Sequence, residues 1–572
     1  MWKFILLLIT ISLFSCSTQK EKADLIIHNA TVYTVDSLFT TCQAIAVKDG
    51  KIIGTGTNEE ILNSFICENI MDANKNFIYP GFIDAHCHFY HYAAGLNEVN
   101  LVGTNSFEEV VSKVNEFAKV NAIKDGEWIV GRGWDQNDWA IKEYPERFIL
   151  DSLFPNNPVL LTRIDGHAAL ANNAALQIAG ITNETKLIGG EVLFAKKSTS
   201  NFKNNGLQIK IKDAQLSGIL IDNAVDLVSK KIPKYSNEKL EAAILKAQTN
   251  CFAMGLTTLD DAGLLKEEID LLEKLQNEKK LKMRLYVMLS DSTPNYEYYL
   301  DKGPYKTDLL NIRSFKFYAD GALGSRGACL LEHYNDKPEW TGFLLNRKEH
   351  FEEKAKLLAS RGFQMNTHCI GDSSDRIIAN IYNDIASKQN NLRWRIEHAQ
   401  VVSAQDLEKF KYIIPSVQPT HATSDMYWAE ERLGKQRVKT AYAYKDLLQA
   451  SGLVALGTDF PVEDISTFKT FYAAVARKDS KGFPENGFQK ENALTREQTL
   501  RGMTIWAAYS NFEENEKGSI EKGKFADFVI LDKDLMKCKE EEILKTKVFY
   551  TIINGEIVAM PNVTGFSKIA PL

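Results

Sequence analysis

Several things are scarce in this chain, and each scarcity excludes a class of protein. Apolar length is scarce: a mean hydropathy of −0.24 over 572 residues excludes a polytopic membrane protein. Clustered positive charge is missing too. The formal net charge of −6 is spread over mixed signs with no long basic run, so nucleic acid is not the expected partner. Cysteine is sparse, eight residues at positions 16, 42, 67, 87, 251, 329, 369 and 538, with no CxxC pair and no regular spacing. An exported chain can form disulfides, but their pairing is not legible here. What is present, 44% hydrophobic and 25% charged residues, is ordinary for a globular protein, and the length calls for two or more structural units.

A long apolar run sits at the start. Met1-Trp2-Lys3 is a short positive opening, and residues 4–14 have the length of a signal-peptide core, too short to span a bilayer comfortably. The run ends Leu13-Phe14-Ser15-Cys16-Ser17, which resembles a bacterial lipobox. The expectation is a signal peptide over 1–15 and a lipidated tether over 16–23, placing an exported protein in the periplasm or cell envelope with Cys16 as its membrane anchor. The alternative is an ordinary signal peptide with an incidental cysteine.

Two rhythms divide the rest. Residues 24–36 alternate like a strand, and residues 43–54 carry Asp49-Gly50 between apolar runs, a strong hairpin signal. The other end echoes this with a strand over 526–532 and a hairpin around Asn554-Gly555. Residues 24–78 and 519–562 are therefore expected to combine into one β-sandwich. Between them, over 79–518, short apolar strands alternate with helical stretches. Strands fall near 81–85, 256–260, 284–289, 314–319, 363–367, 394–397, 413–418 and 454–457. Eight such units imply an α/β fold, a (β/α)8 barrel of the TIM type. Residues 237–254 read as an amphipathic helix stopped by Gly255, and Thr495 with Gln498 reads as a capping box. Residues 95–240 break the rhythm and read as an inserted lid or subdomain shaping the pocket at the barrel mouth.

The chemistry starts at His86-Cys87-His88, which closes the apolar run Phe77-Ile-Tyr-Pro-Gly-Phe-Ile-Asp84. Residues two apart on a strand share a side, so both imidazoles can grip one cation. Cys87, and Cys369 likewise, then face the other way as small core residues. Further candidates close later strands: His368, His398 and Asp459, with Lys316 on the fourth. A lone histidine of this kind is more often a satisfied core residue. With only ten histidines in the chain, four at the carboxyl ends of strands read as a metal site.

The order HxH, Lys, His, His, Asp resembles the amidohydrolase superfamily. Longer stretches are similar to its YtcJ-like branch (amidohydrolase family 3): Tyr79-Pro-Gly-Phe-Ile-Asp-Ala-His-Cys-His88, Phe317-Tyr-Ala-Asp-Gly-Ala-Leu-Gly-Ser-Arg326, Gln418-Pro-Thr-His-Ala-Thr-Ser-Asp425 and Leu456-Gly-Thr-Asp-Phe-Pro461. The resemblance implies one or two divalent metal ions, most simply zinc. His86, His88 and Asp459 would hold one and His368 and His398 the second, with N-carboxylated Lys316 as a bridge. A buried, unmodified Lys316 would instead favour a single metal. Metal-activated hydroxide would attack a carbonyl, and Asp459 would move the proton from water to the leaving nitrogen.

Arg163, His167, His421 and Trp134 are the candidate substrate contacts. Each also has a plain structural reading: packing at a helix start for His167, a loop hydrogen bond for His421, core packing for Trp134 as for Trp428. The expected activity is hydrolysis of a non-peptide C–N bond, an amide or N-formyl/N-acyl group of a small molecule. A deaminase or cyclic-amide hydrolase, or an idle ligand-binding lipoprotein, are the alternatives. Assembly into a homo-oligomer is left open.

Overall fold

Short apolar runs too brief to bury themselves need neighbours on both sides, and the helix after each run returns the chain to pair the next strand in parallel. In the computed structural model, which describes residues 20–196, 203–204, 207–208, 215–386 and 391–560, this produces eight parallel strands in sequence order. They are β1 Phe82–Cys87, β2 Leu256–Leu264, β3 Arg284–Ser290, β4 Leu310–Tyr318, β5 Gln364–Cys369, β6 Arg395–His398, β7 Ile414–Val417 and β8 Ala455–Leu456. The α/β barrel expected from the sequence is the architecture observed. The leader segment and Cys16 lie outside the described residues. Among those described, no helix is long and apolar enough to cross a membrane, and the seven cysteines are all free, Cys87 and Cys369 buried among them.

The barrel closes between its first and last strands. Just past β8 the Asp459 amide donates to the His86 carbonyl at 2.7 Å, and the His88 amide donates to the Phe460 carbonyl at 2.8 Å. Buried Asp84 accepts from the Thr458 amide at 2.9 Å and hydroxyl at 2.6 Å. Gly457 sits in this seam without a side chain, because a Cβ there would stand 2.5 Å from the His86 nitrogen and 2.8 Å from an Asp84 oxygen.

Both ends of the chain meet beside the barrel. Phe528–Leu531 pairs antiparallel with Phe77–Pro80 in a six-stranded sheet. A four-stranded sheet faces it across a shared core that includes Ile27, Val47, Ile78, Phe528 and Ile552. The alternating stretch 24–36 is two strands rather than one. Leu25–His28 and Thr31–Tyr33 enter different sheets, broken at Asn29, whose φ is +58° and whose side-chain Nδ2 donates to Asp72 at 2.7 Å. Arg284, at the amino end of β3, ties the barrel to these sheets through Asp527 at 2.6 and 2.9 Å. The capping box at Thr495 and Gln498 is formed, and the helix before Gly255 runs Asn237–Phe252.

The long segment between β1 and β2 folds on itself. Its six-stranded sheet spans Val99–Asn100 to Leu216–Asp222 and carries its own core around Val114, Trp134, Trp139, Leu161 and Ile219. Gly457→Ala is expected to cost about 2 kcal/mol or more, because the seam cannot give way without opening the barrel. Gly95→Ala, which meets nothing closer than 4.0 Å, should stay within about 0.5 kcal/mol. Denaturant midpoints of the two variants check this, and equal midpoints would remove the seam from the account.

Candidate metal centre

Each candidate ligand is presented by a strand end and aimed by a second contact. His86 Nδ1 donates to Glu397 Oε2 at 2.5 Å, His88 Nδ1 to the Ala262 carbonyl at 3.0 Å, and His398 Nδ1 to Gln418 Oε1 at 2.7 Å. Engaging Nδ1 leaves Nε2 of each ring as the lone-pair nitrogen, the outer-shell arrangement that orients metal-binding imidazoles. The rings converge: His86 and His398 centroids lie 4.8 Å apart, and His368 and His398 lie 4.6 Å apart. On a regular strand, neighbours Glu397 and His398 would face opposite sides. Both reach the centre because His398 adopts φ +72°, which ends β6 and turns its ring toward the mouth. Asp459 is also held at a positive φ, +63°, a strained backbone concentrated where the ligands meet.

Below His86 lies a buried charge network. Arg395 donates to Glu397 at 2.7 and 3.0 Å, to Asp260 at 2.8 Å and to the Ala85 carbonyl, and Asn511 donates to Asp260 at 2.6 Å. Burial alone would raise the Glu397 pKa, but the adjoining Arg395 and His86 hold it well below the usual carboxylate range. Burial, reinforced by Lys316, pulls His86 down to about 4, which keeps its imidazole neutral and able to ligate. Lys316 Nζ lies 3.0 Å from His86 Nε2, and burial brings it down to about 8.

Asp459 is central. Its Oδ1 is 3.2 Å from His88 Nε2 and 3.7 Å from His86 Nε2, and its Oδ2 is 3.6 Å from His421 Nε2. Two groups of donors, His86–His88–Asp459 and His398–His421–Asp459, each gather within 4.8 Å. His368 Nε2, His421 Nε2 and Asp459 Oδ1 are buried with no hydrogen-bond partner. Buried polar atoms are normally satisfied, so these orphans, all nitrogen or carboxylate donors, fit a divalent cation.

The substrate-contact candidates separate. His167 comes to the mouth from the inserted segment. Its ring is 5.0 Å from that of His368, and its Nδ1 donates to Asp222 at 2.6 Å. His421 joins the donors. Arg163 does not face the centre: 1% exposed, it donates to Gln136 at 2.8 Å, to Asp165 at 2.5 Å and to Asp135, all on its own segment. Trp134 packs inside the insert core and donates its indole N–H to the Leu161 carbonyl at 2.8 Å. Sequence reasoning missed the aiming residues Glu397, Gln418 and Asp222. Glu397 had a visible signal in its place before His398, whereas nothing in the chain links Asp222 to His167 across 55 positions.

The chain matches the amidohydrolase family model over residues 69–559. It is similar to the putative amidohydrolase YtcJ of Bacillus subtilis, 29% identical over 93% of this chain and 98% of that protein. It is also similar to the N-substituted formamide deformylase of Arthrobacter pascens, 24% identical over 94% of this chain and 98% of that one. Among solved structures it is similar to an uncharacterized metal-dependent hydrolase from Pyrococcus horikoshii, with a TM-score of 0.69 and 26% identity over 90% of this chain and 99% of that one.

Replacing Glu397 with Gln keeps the shape but removes the charge that orients His86. Zinc affinity, read by competition with a chromophoric chelator, should fall about 10- to 100-fold. An unchanged affinity would mean that Glu397 serves packing alone.

Proposed function

The chain belongs to the amidohydrolase family, and from that premise we propose that this metal-dependent C–N hydrolase cleaves an amide or N-formyl/N-acyl bond of a small molecule at the barrel mouth. The observation that carries the reading is the position of Asp459, within 3.2–3.7 Å of three imidazole nitrogens contributed by the end of β1 and by the short helix after β7. The full-length similarity to an N-substituted formamide deformylase supports the formyl/acyl class.

In this reading His86, His88, Asp459, His368 and His398 would hold the metal, most simply zinc. Lys316, a buried amine with a lowered pKa, is the residue that would be N-carboxylated. When bound, the ion supplies a Lewis acid and makes water acidic enough to be deprotonated near neutral pH. The chain's own groups do the rest. Asp459 takes the water proton as the oxygen adds to the substrate carbonyl carbon. It returns that proton to the leaving nitrogen as the C–N bond breaks, giving a carboxylic acid and an amine. His167, aimed by Asp222, would donate from Nε2 to the carbonyl oxygen and stabilise its developing charge. Export and lipid anchoring through Cys16 belong to the same proposal. Cys16→Ala should abolish palmitate labelling of the expressed full chain, and retained labelling would refute the anchor.

Zinc-loaded protein should release amine and carboxylate from members of an N-formyl and N-acyl panel. Asp459→Asn should lower kcat by at least about 100-fold with an unchanged circular-dichroism spectrum. Ammonia release from amino-heterocycles alone would transfer the assignment to the deaminases, and an active Asp459→Asn variant would sink the proton-transfer role.

A further inference from the structure

One arginine of the insert is left out of its core by a break in strand rhythm. In the strand Ile129–Trp134, Ile129 and Trp134 both pack into the insert core, although residues an odd number of positions apart face opposite sides of a regular strand. The register shows why. Arg132 pairs with Thr162 and Trp134 with the next residue, Arg163, so Gly133 forms a bulge. Its φ is +113°, and a Cβ there would stand 2.5 Å from the Val102 side chain. The bulge turns Trp134 into the core and leaves Arg132 on the other face. Among the described residues Arg132 makes one hydrogen bond, from Nη2 to the Ile164 carbonyl at 2.8 Å, and its Nη1 is buried without a partner. Ile164 opens the turn that leads to His167, and a Cβ on Gly166 would stand 4.0 Å from Nη2, so the guanidinium borders the turn that carries the His167 imidazole. The barrel side agrees. Burial lowers the Arg132 pKa, and the carboxylate opposing this most strongly is that of Asp459, ahead of Glu98 and Asp165. Burial, His88 and Arg132 together lower the pKa of His91, whose ring lies 6.1 Å from that of His88.

We propose that Arg132 sets substrate specificity by binding a carboxylate that the substrate carries beside its scissile carbonyl. The proposal rests on the hydrolase reading above and narrows its substrate class to small N-formyl or N-acyl compounds that bear an acid group. A buried guanidinium N–H without a partner is costly, so it calls for an anion. None of the neighbouring carboxylates meets that need. Asp459 belongs to the metal donors, Asp165 accepts from Arg163 at 2.5 Å, and burial raises the Glu98 pKa, which weakens its charge. Nη1 keeps both of its N–H groups and Nη2 keeps one, enough for the two oxygens of a carboxylate. A single positive charge with three acidic neighbours suits a monoanion better than a phosphate dianion. The planar fork explains why arginine rather than lysine stands here.

The test uses N-formyl ω-amino acids of increasing chain length, each paired with its neutral carboxamide of the same shape, and reads formate release by the zinc-loaded full chain. At the best length the acid should exceed its amide in kcat/KM by about 10- to 100-fold, mainly through KM. Arg132→Gln should erase that preference. Arg132→Lys, which keeps the charge without the fork, should lower it at least about threefold and serves as the second variant should Arg132→Gln not fold. The preference is a ratio taken within one protein, so a loss of fold or metal that slows both compounds leaves it unmoved. An unaltered chain that favours the acid at no length overturns the proposal, as does a preference that survives both substitutions. Hydrolysis of none of the compounds would remove the reaction without deciding the carboxylate site. Calorimetric titration of the same pairs then decides it: tighter binding of the acid only where Arg132 is present upholds the site, and equal binding or none overturns it.

Discussion

Everything at the barrel mouth depends on the seam between the first and last strands. His86 and Asp459 are 373 positions apart, yet one hydrogen bond of 2.7 Å between their backbones sets the distance between their side chains. The bare α-carbon of Gly457 leaves room for that bond, and Asp84 holds Thr458 beside it. Opening the seam would separate the HxH pair from its carboxylate, and the candidate metal centre would cease to exist although every residue in it remained.

Assembling so many ionisable groups inside a barrel carries a large desolvation cost, which the structure offsets by pairing rather than by exposure. The chain Glu397–Arg395–Asp260–Asn511 is fully buried, and each carboxylate in it meets at least one cationic or amide donor. This network gives His86 its tautomer, and with it the lone pair that faces the centre. The imidazoles and the carboxylate beyond it are left with unpartnered atoms, and they sit on strained backbone at His398 and Asp459. Satisfied groups below and unsatisfied groups above are what a site that waits for a cation requires.

The inserted segment contributes less directly than its length suggests. Most of its aromatic and charged residues serve its own fold, Trp134 in the core and Arg163 among three acceptors. His167 does reach the mouth, held by Asp222, whose φ of +49° is itself strained. Gly321 and Gly327, on the loop after β4, lie where any side chain would strike the Asp222 carboxylate, so barrel and insert are fitted closely to each other at this dyad.

The sequence by itself determined the barrel, all eight of its strands, the hairpins at both ends and the HxH pair that the first strand presents. Those features are written locally: a strand needs only its own run of apolar residues, a hairpin its Asn-Gly or Asp-Gly, and an HxH its spacing of two. Tertiary structure alone decided which groups aim those ligands, that 24–36 breaks into two sheets at Asn29, that Arg163 is neutralised within its own segment, and that His421 shares Asp459 with the HxH pair. Each of these depends on a partner that the chain brings close only after the barrel has closed or the insert has folded. Hydrogen bonding and charge pairing act over about 3 Å, with no regard for separation along the chain. The periodicity that reveals strands therefore carries no record of them.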